Sequence, residues 1–190
     1  MMKKLIRSLL LLVMVFSLVG CNLSTTNKTV KIGVSFGVGA ASRWQSEKVY
    51  MEEKAKELGA EIEVRLNTTD TPKTQQEDCF ELIDSGIDVL IITPRDVRKV
   101  KEIVDYAKEK NVKVISYARV VIGEQIDLYV GYDSNKMGQS MGQYITEKVY
   151  KGNYIILKGD ENDFNTSLLY TGAMKYIDPI KNDINILLDA

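Results

Sequence analysis

The sequence predicts an α/β fold in which a doubly wound, mostly parallel sheet carries helices on both faces. Short β-rich runs alternate with helical segments of about 12–16 residues along most of the chain, and this alternation is typical of βαβ units with right-handed crossovers. Residues 89–92 (VLII) have no polar position, as expected for a strand covered on both faces. Gly59 and Gly86 each follow a helical segment, where a left-handed residue ends a helix.

Each element has its own sequence signal. The alternation of apolar and charged residues over 61–67 predicts a strand, and Thr71-Pro72 is typical of a helix start. Asp96 and Asp133 precede two more helical segments, where capping and ligand binding stay open as roles. The predicted strands are 31–36, 61–67, 89–92, 112–117, 128–132, 154–157 and 184–188, and the predicted helices are 43–58, 72–85, 97–110, 135–150 and 168–176.

The N-terminus carries a secretion signal. Three basic residues (Lys3, Lys4, Arg7) precede an apolar run over 9–16, as in a signal peptide. The following Leu18-Val19-Gly20-Cys21 resembles a bacterial lipobox, with Val19 a mild departure. That resemblance implies cleavage before Cys21 and its lipidation. The sequence thus predicts a signal peptide over 1–20, a lipidated tether over 21–29 and a folded lobe over 30–190, outside the cytoplasm on the cell membrane; an uncleaved N-terminal anchor is the alternative.

Composition argues against several functional classes. From Cys21 onward the chain has 22 basic and 26 acidic residues, a net charge of −4, which disfavours nucleic-acid partners. There is no histidine, and Cys79 is the one thiol left once Cys21 is acylated. Zinc sites, Ser-His or Cys-His catalysis and an internal disulfide are therefore disfavoured. Cys79 lies in an amphipathic segment, and we expect it to be a small buried hydrophobe.

Signals for cofactors and metals are also weak. Gly33, Gly37 and Gly39 lack the spacing of a dinucleotide fingerprint, and no acidic pair has a spacing typical of acid–base catalysis. The acidic loop 160–165 has oxygen ligands for Ca²⁺, but a solvated loop is the simpler interpretation. We expect no enzyme activity, no cofactor and no metal.

Polar residues that follow strands are the candidate ligand-binding groups, because ligands of such sheets bind beyond the carboxyl ends of the strands. Arginine offers a planar donor fork, and asparagine both donates and accepts, as a hydroxyl-rich ligand requires. Trp44 is the single tryptophan, either stacking on a sugar face or packing the first helix onto the sheet. The candidate residues are Arg43, Trp44, Arg95, Arg119, Asp133 and Asn165.

Several segments resemble the type I periplasmic sugar-binding proteins of ABC transporters, and the later ones resemble the D-xylose-binding branch. The segments that resemble the family are 31–36 (KIGVSF), 43–45 (RWQ), 86–92 (GIDVLII) and 131–138 (GYDSNKMG), and those that resemble the branch are 152–154 (GNY), Gly159 and 163–165 (DFN). The GID segment is general to the family, whereas RWQ and the loop of Asn165 are more specific.

The resemblance implies a clamp of two lobes that closes on a monosaccharide, with a pentose, D-xylose first, as the expected ligand. It implies sugar contacts from Arg43, Trp44, Arg119 and Asn165, above a floor shaped by Thr93-Pro94-Arg95. The implied partner is an ABC permease. The alternatives are an accessory sensor for a membrane receptor kinase and a truncated lobe that binds nothing, with a flavodoxin-like enzyme as a distant fourth.

Two departures from the family pattern matter. Ala118-Arg119 stands where relatives usually have Asp-Arg, so a carboxylate that accepts sugar hydroxyls is missing unless Asp133 or Asp163 replaces it. The chain also ends at Ala190, and we expect one lobe with the second absent. The exposed lobe boundary would then favour association.

Overall fold

The computed structural model describes residues 28–37, 42–67 and 72–189, in which parallel strands form two sheets. A five-stranded sheet has the order β2-β1-β3-β4-β5, and β6 pairs with β7 in a separate sheet. The strands are β1 (Lys31–Phe36), β2 (Glu61–Leu66), β3 (Val89–Thr93), β4 (Lys113–Tyr117), β5 (Leu128–Val130), β6 (Gly152–Ile156) and β7 (Ile184–Asp189), and the helices are α1 (Ser42–Glu57), α2 (Pro72–Asp84), α3 (Lys101–Glu109), α4 (Ser134–Lys148) and α5 (Phe164–Ile177). The predicted signal peptide, Cys21 and the Thr71 cap lie outside the described residues.

The predicted α/β fold is confirmed, with helices on both faces of the larger sheet. Side chains alternate along β1, so Val34 and Phe36 pack against Trp44 of α1 on one face. On the other face, α2 and α3 cover β3 and β4 with an apolar cluster that includes Leu82, Leu90 and Val104. Cys79 lies in this cluster and is fully buried, as the sequence predicts; burial raises the pKa of its thiol to about 12.

The predicted glycine helix ends are confirmed by backbone geometry. Gly59 has φ +70° and Gly86 has φ +84°, a region that glycine occupies without a steric penalty. At the end of α1 the Ala60 N–H donates to the Ala55 carbonyl at 2.9 Å, and the Gly59 N–H donates to the Lys56 carbonyl at 3.2 Å. These two bonds satisfy carbonyl groups that the helix itself leaves without partners.

The third helix begins later than the sequence predicts. It starts at Lys101, whereas the spacing of apolar residues predicts a start at residue 97. Val97 is fully buried but lies in a turn, where the Asp96 carboxylate accepts the Arg98 N–H at 3.0 Å. Asp96 therefore stabilises a turn and does not cap the helix.

Aspartates cap the next two helices. Asp133 accepts the Lys136 N–H at 3.0 Å and caps α4, which confirms the capping interpretation. Asp163 accepts the Asn165 N–H at 3.0 Å, so α5 begins at 164 and not at the predicted residue 168. The earlier start brings Asn165 into the first turn of α5.

The second sheet differs from the single sheet that the sequence predicts. Helix α4 packs closely on α5, because Gly138 and Gly172 let the two backbones approach; a Cβ at Gly138 would overlap the Leu169 carbonyl, and one at Gly172 would overlap the Asn135 carbonyl. The inner face of α4 is thus occupied by α5 and not by the larger sheet. Tyr154 of β6 packs on α5 in turn, so residues 134–189 form a second structural unit.

A buried amide connects the carboxyl ends of β1 and β3, and Thr93 extends this connection to β4. The Gln75 side chain, on a residue 3% exposed, donates through Nε2 to the Thr93 carbonyl at 2.9 Å and to Ser35 Oγ at 3.3 Å. Its Oε1 accepts the Arg95 N–H at 2.9 Å. The Thr93 hydroxyl then donates to the Tyr117 carbonyl at 2.9 Å. Gln75 thereby fixes the turn that follows β3.

We predict that Gln75→Leu lowers the free energy of unfolding by about 1–3 kcal/mol, because the Arg95 N–H and the Thr93 carbonyl would each lose a hydrogen bond to a buried side chain. Urea denaturation measures the change. Gln143→Leu is the matched control, since Gln143 is exposed and its side chain donates to Glu147 on the same helix; its effect should stay within ~0.5 kcal/mol. Equal losses in both variants would contradict the role of Gln75.

Candidate functional site

A cavity of about 260 Å³ lies where the carboxyl ends of β4 and β5 meet the N-terminal ends of α4 and α5. Its volume is below the ~300–1,000 Å³ of pockets for drug-sized ligands, which fits a small ligand. Both structural units contribute to its walls. The lining residues are Arg43, Tyr117, Ala118, Val130, Gly131, Tyr132, Ser134, Met137, Asp163, Asn165 and Leu169.

Ala118 is the point at which the two units meet. Its φ of +61° is unusual for a residue other than glycine, and hydrogen bonds on both sides hold it there. The Ala118 N–H donates to the Val130 carbonyl at 2.8 Å, and its carbonyl accepts from Asn165 Nδ2 at 2.8 Å. Asn165 Oδ1 in turn accepts from Ser134 Oγ at 2.9 Å. One asparagine thus joins the end of β4 to the first turns of α4 and α5.

Arg119 is a largely buried brace beside the cavity. Its side chain is 13% exposed, and its Nε lies 3.0 Å from Asp163 Oδ2, whose side chain is 20% exposed. Its Nη1 donates to the Arg95 carbonyl at 3.0 Å and to the Pro94 carbonyl at 3.3 Å. The guanidinium therefore fixes the turn after β3 against the start of α5.

The acidic loop before α5 has protein partners. Asp160 accepts the Asn162 N–H at 2.9 Å, and Asp163 pairs with Arg119. Within residues 28–37, 42–67 and 72–189, no group of three or more acidic, cysteine or histidine side chains is placed to hold a metal ion.

Arg43 and Tyr117 form the wall on the α1 side. The Tyr117 hydroxyl donates to Glu47 Oε2 at 2.7 Å, and Arg43 Nε donates to Glu47 Oε1 at 3.3 Å. Burial and the bond to Glu47 raise the pKa of Tyr117 to about 12, so the phenol is neutral at ordinary pH. The Arg43 side chain is 55% exposed, which leaves its terminal amino groups open to solvent at the cavity.

Trp44 supports Arg43 from below and does not line the cavity. It is 6% exposed, and its ring centroid lies 5.0 Å from that of Phe36. Arg43 Cζ lies 4.5 Å above the indole ring, at a distance typical of a cation–π contact. The exposed aromatic ring at the cavity is Tyr132, which is 78% exposed.

The structure brings some of the sequence-predicted residues together and separates others. Arg43 and Asn165 line the cavity, Arg119 braces its floor, and Arg95 contributes its backbone to Gln75 and Arg119. Asp133 is exposed at the cap of α4, and the bond from the Lys136 N–H lowers the pKa of its carboxyl.

Sequence reasoning missed Glu47 and Tyr117. Tyr117 ends β4 directly before Ala118, so its position at the sheet edge was available as a signal. Glu47 follows Arg43 by one helical turn, a spacing that ordinarily indicates a surface pair.

Comparison with known proteins identifies the family to which this architecture belongs. Residues 32–189 match the periplasmic binding protein domain family. The chain belongs to that family. It is 31% identical over 170 residues to the D-xylose-binding periplasmic protein of Escherichia coli K12, a match that covers 90% of this chain and 51% of that protein. The D-xylose-binding periplasmic protein of Haemophilus influenzae is also 31% identical, over 171 residues, with the same two shares covered.

Solved structures agree with this assignment. A carbohydrate-transporter solute-binding protein from Chloroflexus aurantiacus in complex with D-glucose superposes with a TM-score of 0.75 and 27% identity, over 84% of this chain and 48% of that one. The chain spans about half the length of the curated relatives it matches. Across the described segments of this family member, no helix has both the length and the apolar character needed to cross a membrane.

We predict that Arg119→Ala lowers the free energy of unfolding by about 1.5–3 kcal/mol, because Asp163 would stay largely buried without its charged partner. Chemical denaturation of the variant measures this loss. The control is Lys136→Ala, which removes an exposed pair with Asp133 at 3.6 Å and should cost ~0–1 kcal/mol. The double variant Arg119→Ala/Asp163→Ala should lose less unfolding free energy than the two single variants lose together. Strictly additive losses would show that Arg119 and Asp163 do not stabilise the structure as a pair.

Proposed function

We propose that this chain binds a neutral monosaccharide outside the cytoplasm and delivers it to an ABC transporter, with D-xylose as the first candidate. The observation that carries the proposal is the cavity between the two structural units, where Arg43 offers donors beside the polar side chains of Asn165 and Tyr117. Internal hydrogen bonds already hold these two side chains in place. A small polar wall of this kind suits a ligand rich in hydroxyl groups. No group in this wall supplies a nucleophile–base pair, which favours binding without chemistry.

Residues 134–189 would serve as the start of a second lobe. They form their own sheet, and an ion pair of Asp163 and a hydrogen bond of Asn165 join them to the unit of the larger sheet. A small polar contact of this kind permits relative motion. Ligand would then stabilise the closed arrangement through its greater affinity for that conformation.

Tyr132 is the aromatic group that we propose for contact with the apolar face of the sugar. Its ring is exposed and lies at the cavity, whereas Trp44 is buried under Arg43. An aromatic face carries partial negative charge that attracts the positive edge of C–H groups. This arrangement assigns to Tyr132 the stacking role that the sequence suggests for Trp44.

The choice of D-xylose rests on the two relatives named for that sugar, while a structural relative is complexed with D-glucose. These two sugars share the configuration of their ring hydroxyls, and glucose adds a hydroxymethyl group. Direct titration with both sugars shows whether the cavity accepts the hydroxymethyl group.

We predict that D-xylose stabilises the full chain saturably in a thermal-shift titration, with a smaller effect of D-glucose, D-ribose and L-arabinose at equal concentration. At ligand a hundredfold above its dissociation constant, binding adds about 2.7 kcal/mol to the free energy of unfolding. A cooperative melt that no sugar shifts would overturn the proposed function.

The matched variants for this titration are on α1. Arg43→Ala removes a charged donor at the cavity and should weaken binding about tenfold or more, since a hydrogen bond to a charged group contributes ~1.5–3 kcal/mol. Lys48→Ala removes a charge from the same helix that pairs with Glu52, and it should leave affinity unchanged. Equal affinities of the wild-type chain and both variants would show that the sugar does not bind at Arg43.

We also propose that lipid on Cys21 anchors the protein to the cell membrane. Several acyl chains on one residue give a stable anchor, because each buried CH₂ contributes ~0.8 kcal/mol. Cys21→Ser in a bacterial host should move the protein from the membrane fraction to the soluble fraction. Continued membrane association of the variant would instead indicate an uncleaved apolar N-terminal segment.

A further inference from the structure

Each of two arginines at the cavity has a carboxylate partner within the protein. Arg43 Nε lies 3.3 Å from Glu47 Oε1, and Arg119 Nε lies 3.0 Å from Asp163 Oδ2. In each pair one positive and one negative charge cancel, so these two arginines contribute donors at the cavity without a net positive charge.

Glu47 does more than cancel the charge of Arg43. Its second oxygen accepts the Tyr117 hydroxyl at 2.7 Å, so the phenol proton points to Glu47. Its first oxygen accepts from Arg43 Nε at 3.3 Å, and the Arg43 guanidinium is also hydrogen-bonded to the Tyr117 side chain. Glu47 therefore places a carboxylate charge directly behind two lining residues, without lining the cavity itself.

We propose that Glu47 is a specificity-determining positioning residue, which makes this cavity select neutral sugars over sugar acids; this inference rests on the proposed function. A ligand carboxylate would meet Arg43 already paired with an acid and would lie near the Glu47 charge. Like charges at short range disfavour binding. A neutral hydroxyl carries no charge for Glu47 to repel, and its oxygen can accept from the Arg43 guanidinium.

The chain provides a matched control on the same helix. Glu52 follows Lys48 at the spacing by which Glu47 follows Arg43, and the Lys48–Glu52 pair lies 3.7 Å apart away from the cavity lining. Glu47→Gln and Glu52→Gln thus remove the same charge from the same helix, and only the first removes it behind the cavity.

The experiment compares D-glucose with D-glucuronate, which replaces the hydroxymethyl group by a carboxylate on the same ring. Binding to the full chain is followed by the fluorescence of Trp44, the single tryptophan, whose ring lies under Arg43. We expect the wild-type chain to bind D-glucose at least tenfold more tightly than D-glucuronate. Glu47→Gln should change the ratio of the two dissociation constants at least fivefold in favour of D-glucuronate, and Glu52→Gln should leave this ratio unchanged.

Arg43→Gln keeps the inference testable if Glu47→Gln fails to fold. It removes a half-exposed cation and leaves Glu47 without that partner, so the ratio should move at least fivefold further toward D-glucose. An unchanged ratio in the folded variants would overturn the inference and leave the proposed function in place. A wild-type chain that binds neither D-xylose, D-glucose nor D-glucuronate would overturn the proposed function, and this inference with it.

Discussion

Peptide groups at the carboxyl ends of β1 and β3 lie beyond the last bonds of the parallel ladder, in an interior without room for solvent. Buried peptide groups need partners, and Gln75 supplies them from α2. The Gly37 N–H adds a bond of 2.9 Å to the same Thr93 carbonyl. Since Gln75 fixes the turn at Arg95, it also fixes the two carbonyls that Arg119 uses, and through Arg119 the position of Asp163.

This chain of contacts connects a core amide to the second structural unit. Each step is polar and directional, in contrast to the apolar clusters that hold α1, α2 and α3 on the sheet. Apolar packing tolerates small shifts in direction, whereas hydrogen bonds weaken steeply with misalignment. Apolar burial therefore holds the helices on the larger sheet. The shape of the cavity depends instead on a few polar contacts with strict geometry.

The fold class was readable from the sequence because strand and helix periods differ. The start of α3 was not, because Val97 and Val100 continue the helical spacing of Ile103 and Val104, although Val97 lies in a turn and Val100 directly precedes the helix; apolar spacing reports burial and not backbone angles. The early start of α5 is hidden because polar residues (Asn165, Thr166, Ser167) follow Phe164 in its first turn. The division into two sheets depends on the contact between α4 and α5, which separate glycines in the sequence do not reveal.

At the candidate site, position on the sheet edge was enough to find Arg43 and Asn165. For Trp44 the sequence left stacking on a sugar and packing onto the sheet open, and the structure shows packing; the choice depends on Phe36 of β1, which is close in space but not adjacent in sequence. Glu47 was hidden for a related reason: a pair one helical turn apart usually lies on the surface, and its bond to Tyr117 joins residues 70 positions apart.

The left-handed backbone of Ala118 has an evolutionary consequence. Alanine in this conformation carries strain on the order of 1–3 kcal/mol, whereas aspartate and asparagine adopt it more readily. The resemblance to type I sugar-binding proteins also implies aspartate at this position. New binding groups commonly arise at the expense of stability, but at this position a mutation to aspartate would bring a ligand-binding carboxylate and relieve backbone strain in the same step.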